Sequence, residues 1–168
     1  MKEELAKKLV HSLKQAGINF VTFLPESRLS QIIPLLRDDP DIDLVPVASE
    51  AEGVTIAAGA TLGGKQAACY CENTGLYVSC YSLVVVAKQM GVPVLMIVGF
   101  LGGHADQRNS FLYATIGNRT LPYLTGLGIE HVVLKDGEKL ETEVRDAVRT
   151  MNSLRSPVAL LFAGEFTI

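Results

Sequence analysis

Leu44-Val45-Pro46-Val47-Ala48-Ser49-Glu50-Ala51-Glu52-Gly53-Val54-Thr55-Ile56-Ala57-Ala58-Gly59-Ala60-Thr61-Leu62-Gly63-Gly64-Lys65-Gln66-Ala67-Ala68-Cys69-Tyr70-Cys71 holds the pattern that decides the fold. A short apolar run leads into a polar junction, then a helix of small residues, a glycine stop and a second apolar run. Ser49 and Glu52 have capping-box spacing, which predicts a helix starting at Ser49 and closed after residue 62 by Gly63-Gly64. The flanking runs, 44–47 and 66–71, lack strict alternation, as strands buried on both faces do. Glu50 falls in the first helical turn, where the helix dipole favours an acidic side chain by ~0.3–1 kcal/mol. Two glycines inside the helix, Gly53 and Gly59, each cost about 1 kcal/mol relative to alanine and imply a close neighbour.

The same strand–helix–glycine–strand unit recurs outward in both directions. Leu5, Leu9 and Leu13, with Val10, share one helical face, Gly17 stops that helix, and 20–24 reads as the first strand. Residues 29–36 read as helical up to Asp38-Asp39-Pro40. Downstream, 78–90 reads as an apolar helix, 94–98 as a strand and 99–110 as a long loop. A helix is predicted from Thr120, with Pro122 in its first turn. A strand over 129–134, an amphipathic helix over 141–151 and a last strand over 158–162 complete the chain. Six apolar strands separated by helices predict a doubly wound α/β fold, a mostly parallel sheet with helices on both faces, in a single domain over 1–168.

Composition agrees and removes whole function classes. Of 168 residues, 48% are hydrophobic and 20% charged, so the chain can bury a core, and a net charge of -3 gives no basic footprint for nucleic acid. No apolar run approaches a membrane span and the charged start, Met1-Lys2-Glu3-Glu4, has no signal-like core, so a cytoplasmic location is expected. Three cysteines, Cys69, Cys71 and Cys80, make no disulfide framework and are read as reduced thiols.

Ligands of an open parallel sheet bind beyond the carboxyl ends of its strands. The junctions there are Pro25-Glu26-Ser27-Arg28, Ser49-Glu50-Ala51-Glu52, Glu72-Asn73-Thr74-Gly75 and the 99–110 loop. Two motifs are decoys. Gly59 to Lys65 fits the start of a phosphate loop but is followed by Gln66 and preceded by a helix. His104 with Asp106 is too sparse for a metal site, and no metal ligand is expected in this chain.

Glu50 through Ala60 resembles the pyrimidine-binding domain of thiamine-diphosphate enzymes, in which a Glu after the second strand opens a small-residue helix. Asn73-Thr74-Gly75, Gly91-Val92-Pro93-Val94 and Pro25 match further family features in order. The resemblance covers nearly the whole chain and is greatest to sulfopyruvate decarboxylase alpha subunits and phosphonopyruvate decarboxylase. It implies a carboxy-lyase subunit using thiamine diphosphate. Glu50 would hydrogen-bond N1′ of the aminopyrimidine and exchange a proton there, and Asn73, Thr74 and Gly75 would contact the cofactor.

The resemblance also implies roles for other residues. Ser27 would touch substrate, although it equally suits a helix cap. Arg28 or Arg119 would meet a sulfonate or phosphonate, Arg28 being as well suited to solvent. His104 would donate a proton. The Gly-Asp-Gly with which the family holds Mg²⁺ and the diphosphate does not occur here, Lys135-Asp136-Gly137 lacking the first glycine. The diphosphate half of the site is therefore expected on a partner beta subunit. Self-association is expected through an exposed small-residue surface around Gly53 and Ala57. The competing reading is a non-catalytic module that keeps the fold, for which Glu50 would have no use.

Overall fold

In the computed structural model, which describes residues 1–104, 106 and 110–167, six strands form one sheet, every neighbouring pair parallel, in the order β2-β1-β3-β4-β6-β5. The strands are β1 (Phe20–Phe23), β2 (Asp43–Pro46), β3 (Ala67–Glu72), β4 (Leu95–Gly99), β5 (Glu130–Leu134) and β6 (Val158–Phe162). Alternate strand residues feed two cores. Ala68, Tyr70, Leu95, Ile97 and Leu160 pack under α1 (Glu3–Gln15), α2 (Ile32–Arg37) and α6 (Leu140–Leu154). Cys69, Cys71, Met96, Val98 and Leu161 pack under α3 (Glu50–Leu62), α4 (Asn73–Val78), a π-helical segment (Ser82–Lys88) and α5 (Phe111–Gly126). This two-sided burial, expected of the non-alternating strands, holds for β3, β4 and β6, whereas the edge strands β2 and β5 are largely uncovered.

The opening stretch folds as its spacing predicts. The Ser49 hydroxyl accepts the Glu52 N–H at 3.2 Å, and the Glu52 carboxylate accepts the Ala48 N–H at 2.7 Å. The first bond satisfies one of the helix's orphan donors, and the second ties down the residue before the cap. Gly53 is needed because a Cβ there would lie 3.0 Å from Cys69 Sγ and 3.3 Å from Val47. Beside it, the buried Thr22 hydroxyl donates to the Gly53 carbonyl at 2.9 Å and ties α3 to β1. The expected exposure around Gly53 and Ala57 is not found, since both are buried on the sheet. Gly59 faces outward, and no atom lies within 4 Å of a Cβ placed on it.

Four local expectations are corrected. Asn73-Thr74-Gly75 is the first turn of α4 rather than a free turn. The predicted helix over 78–90 is instead the end of α4 followed by a π-helical run. Its apolar residues lie on nearly every side, so their periodicity sets no helical phase. Helix α5 starts at Phe111, nine residues before Thr120, and carries Pro122 inside it. The Thr120 hydroxyl, expected as a cap, donates instead to the Ile116 carbonyl at 2.9 Å. In the first junction Glu26 caps the turn over 27–31, and α2 begins only at Ile32, with no side-chain cap of its own. The Glu26 carboxylate accepts the N–H groups of Arg28 at 2.6 Å and Leu29 at 2.5 Å.

Candidate active site

The strand order reverses direction at β1, which pairs with β2 on one side and β3 on the other. Such a switch point opens a crevice at the carboxyl ends of the strands. Three carboxylates gather there, Glu26 after β1, Glu50 at the start of α3 and Glu72 at the end of β3. Glu26 also accepts the hydroxyl of the fully buried Tyr70, and a Cβ on Gly99 would lie 3.0 Å from its Oε2. Burial pushes the Glu72 carboxyl up, the Glu26 and Glu50 charges add to this, and the Thr74 hydroxyl, donating at 3.0 Å, and Arg28 oppose it. The hydrogen bond with Cys69 and burial push the Cys71 thiol beneath them up as well, so it stays protonated.

Glu50 and Gly75 meet. A Cβ on Gly75 would lie 2.3 Å from Glu50 Cγ and 2.8 Å from its Oε1, so no other residue fits while Glu50 holds this position. Glu50 is half-buried, and the first turn of α3 that carries it is braced from outside. Ser82 Oγ donates to the Ala51 carbonyl at 3.0 Å, and the Thr55 hydroxyl donates to Ser82 Oγ at 3.1 Å. The carboxyl group is thus held on a rigid element.

The other sequence candidates divide sharply. Thr74 and Arg119 line one open cavity of about 360 Å³ with Tyr77, Thr115 and Ile116. Ser27 is exposed at the mouth of the first junction and is not the cap, Glu26 having taken that role. Asn73 is fully buried, and its amide spans Leu101, accepting that residue's N–H at 3.0 Å and donating to its carbonyl at 3.0 Å. A second amide hydrogen goes to Thr120 Oγ1 at 2.9 Å, so both donors are spent inside the protein.

Arg28 is 4% exposed, not solvated, and pairs with Asp106 at 3.3 Å. Asp106 also accepts the Gly102 N–H at 2.9 Å. His104 lines a different cavity, against the other flank of α5. Glu26, Tyr70 and Asp106 are the participants that sequence reading missed. The only signal for them was the placement of Glu26 and Asp106 in loops at strand ends.

Residues 3–111 match the family model described as thiamine pyrophosphate enzyme, N-terminal TPP binding domain. The chain belongs to this family. Among relatives of this thiamine pyrophosphate enzyme domain, the sulfopyruvate decarboxylase subunit alpha of Methanococcus maripaludis is 28% identical over 150 residues, 89% of each chain. The protein of that name from Methanothermobacter thermautotrophicus is 34% identical over 106 residues, 63% of this chain and 64% of its own. In fold, the domain matches a 2-oxoglutarate:ferredoxin oxidoreductase from Magnetococcus marinus with a TM-score of 0.74. That match, at 18% identity, covers 100% of this chain and 30% of the larger one. The family match ends at the start of α5, whereas the fold match extends through α5, β5, α6 and β6. Among the described residues no helix is long and apolar enough to cross a membrane.

Proposed function

We propose that the chain is the pyrimidine-binding subunit of a thiamine-diphosphate-dependent 2-oxoacid decarboxylase. The observation that carries this reading is the Glu50–Gly75 contact. It holds a carboxyl group at the carboxyl edge of a parallel sheet, on a braced helix N-terminus, beside a residue with no side chain. The residues present suit an aminopyrimidine. Glu50 offers a hydrogen-bonding and proton-exchanging oxygen, bare Gly75 makes room for that side chain, and Thr74 lines an open cavity next to it. When bound, the cofactor supplies the electron sink for decarboxylation.

The remaining work falls to the chain's own side chains. Glu50 accepts and returns a proton at the pyrimidine ring nitrogen. Asn73 serves from behind by fixing Leu101 against α4 and α5. Arg119, in the Thr74 cavity, meets the second anionic group of a sulfonate- or phosphonate-bearing 2-oxoacid, for which a guanidinium fork is suited. Arg28 is a poorer candidate because its charge is already engaged by Asp106. Ser27 remains open to substrate at the crevice mouth. His104 is given no part here because it faces the other flank of α5.

The diphosphate and Mg²⁺ belong, on this reading, to a partner beta subunit, since residues 1–168 contain no Gly-Asp-Gly. Exposed Leu62, Val78, Tyr81 and Met90 on the α3–α4 side offer apolar area for that partner or a second copy. The test is decarboxylation of sulfopyruvate and phosphonopyruvate by the co-expressed pair. Glu50→Gln keeps the shape but cannot exchange the proton, and is expected to remove turnover without lowering the melting temperature. Activity within about tenfold of wild type, roughly 1.4 kcal/mol of barrier, would reject the role. Titration calorimetry of this chain alone with Mg²⁺ and thiamine diphosphate should show binding weaker than micromolar. Tighter binding would reject the half-site.

A further inference from the structure

Helix α5 has two cavities, one on each flank. At about 100° per residue, Thr115, Ile116 and Arg119 share one flank, while Gly117, Asn118, Leu121 and Pro122 share another roughly opposite. The second flank, with Phe100 and Val133, walls a cavity of about 310 Å³ whose polar groups are His104, Asn118 and Lys135. Its floor is made by backbone. A Cβ on Gly117 would lie 2.0 Å from the Gly102 carbonyl carbon, and one on Gly102 would lie 2.0 Å from the Tyr113 carbonyl oxygen. The cavity ends at Lys135, just past β5, three strand steps from β3, a separation on the order of 14 Å from the carboxylate crevice.

We propose that this cavity is a second ligand site, for a small organic anion with an apolar body. Phe100, Leu121, Pro122 and Val133 supply the apolar walls that such a body fills. Lys135 supplies the charge, with the Asn118 amide and His104 ring as hydrogen-bonding partners. No acidic side chain is among the described residues that line it. None of the ion pairs among the described residues engages Lys135, so its ammonium is available to a ligand. Concave apolar walls with a few convergent polar groups are what small-molecule sites use. The opposite cavity differs in depth and chemistry, having Arg119 at an open mouth. The proposal needs neither thiamine diphosphate nor a partner, so it stands or falls separately from the decarboxylase reading.

The probe is benzoate, with benzamide as its neutral isostere, titrated into the ¹⁵N-labelled full chain and followed by amide chemical shifts. Benzoate is expected to give saturable shifts at Gly103, Gly117, Asn118 and Lys135, with affinity at least tenfold above that for benzamide. Lys135→Met, an exposed change that the fold tolerates, is expected to lower benzoate affinity at least fivefold. Leu121→Trp is expected to fill the cavity and abolish the shifts, and Arg119→Ala to leave them unchanged. Equal binding of benzamide, shifts centred on Thr74 and Arg119, or no saturation up to about 10 mM benzoate would each overturn the proposal.

Discussion

The crevice over β1 and β3 and the cavity beside β5 occupy the same edge of one sheet, yet they are opposite in charge and construction. The crevice gathers Glu26, Glu50 and Glu72, each half-buried, with Gly75 and Gly99 giving up side chains to admit two of the carboxyls. The cavity presents Lys135 and His104 on apolar walls, and its glycines serve to bring backbone onto backbone. The difference teaches that a glycine at a strand end can mean two things. In the crevice it makes room for a carboxyl group. In the cavity it holds a loop in place against a helix.

The comparison can be broken most forcefully at the bond that spans the two regions. Arg28, beyond β1, holds Asp106, in the loop beyond β4, and both side chains are buried. Arg28→Ala should cost about 3–5 kcal/mol of unfolding free energy, because a buried carboxylate loses the cation that faces it. Arg119→Ala, at an exposed site, should stay within about 0.5 kcal/mol while raising KM for an anionic substrate. Urea unfolding of both variants, with kinetics of the assembled enzyme, distinguishes a structural arginine from a substrate-binding one. The reverse pattern would exchange their assignments.

Gly75→Ala tests the crevice glycine. The added Cβ meets Glu50 Cγ at 2.3 Å, so the carboxyl must move, and kcat should fall about a hundredfold, roughly 2.7 kcal/mol of barrier. Gly117→Ala tests the other kind. Its Cβ meets backbone atoms of Gly102 and Gly103, so stability should fall by about 1–3 kcal/mol. Thermal unfolding should show the larger loss for Gly117→Ala, and turnover the larger loss for Gly75→Ala. Equal effects on both readouts would erase the distinction.

The smallest effect is a pH dependence. The raised Glu72 carboxyl binds its proton more readily folded than unfolded, so it favours the fold at low pH. That contribution diminishes as pH rises from the unfolded pKa through the folded one. Glu72→Gln can still accept from Thr74, and it removes this dependence. The variant should gain stability relative to wild type as pH increases from acid to neutral, read from denaturation midpoints across that range. An unchanged difference would mean that burial and the neighbouring carboxylates do not raise the Glu72 carboxyl.

The centre of the sheet was legible because β3, β4 and β6 are apolar without alternation and buried on both faces, whereas the edge strands β2 and β5 carry apolar runs without that burial. The start of α3 was legible because a capping box is local, two side chains three residues apart. Glu50 and Gly75 were each singled out from sequence, but their contact was not, because it joins residues 25 apart in the chain. Asn73 was read as a cofactor contact, and its bonds to Leu101 were not legible because that residue lies 28 residues away. Glu26 was overlooked because it caps through a carboxylate reaching two and three residues ahead, while the adjacent Ser27 is the more familiar cap. Helix α5 was begun too late because Pro122 and Thr120 together imitate a helix start.

The Glu50–Gly75 contact also has a meaning for descent. While position 50 holds a glutamate in this pose, position 75 admits nothing but glycine. Once the glutamate is lost, that constraint is lifted and alanine or serine becomes admissible. On the proposed role of Glu50, homologous chains that have given up catalysis should therefore accumulate side chains at position 75, while active ones keep it bare. Two positions read together thus serve as a marker of whether a lineage still uses the site.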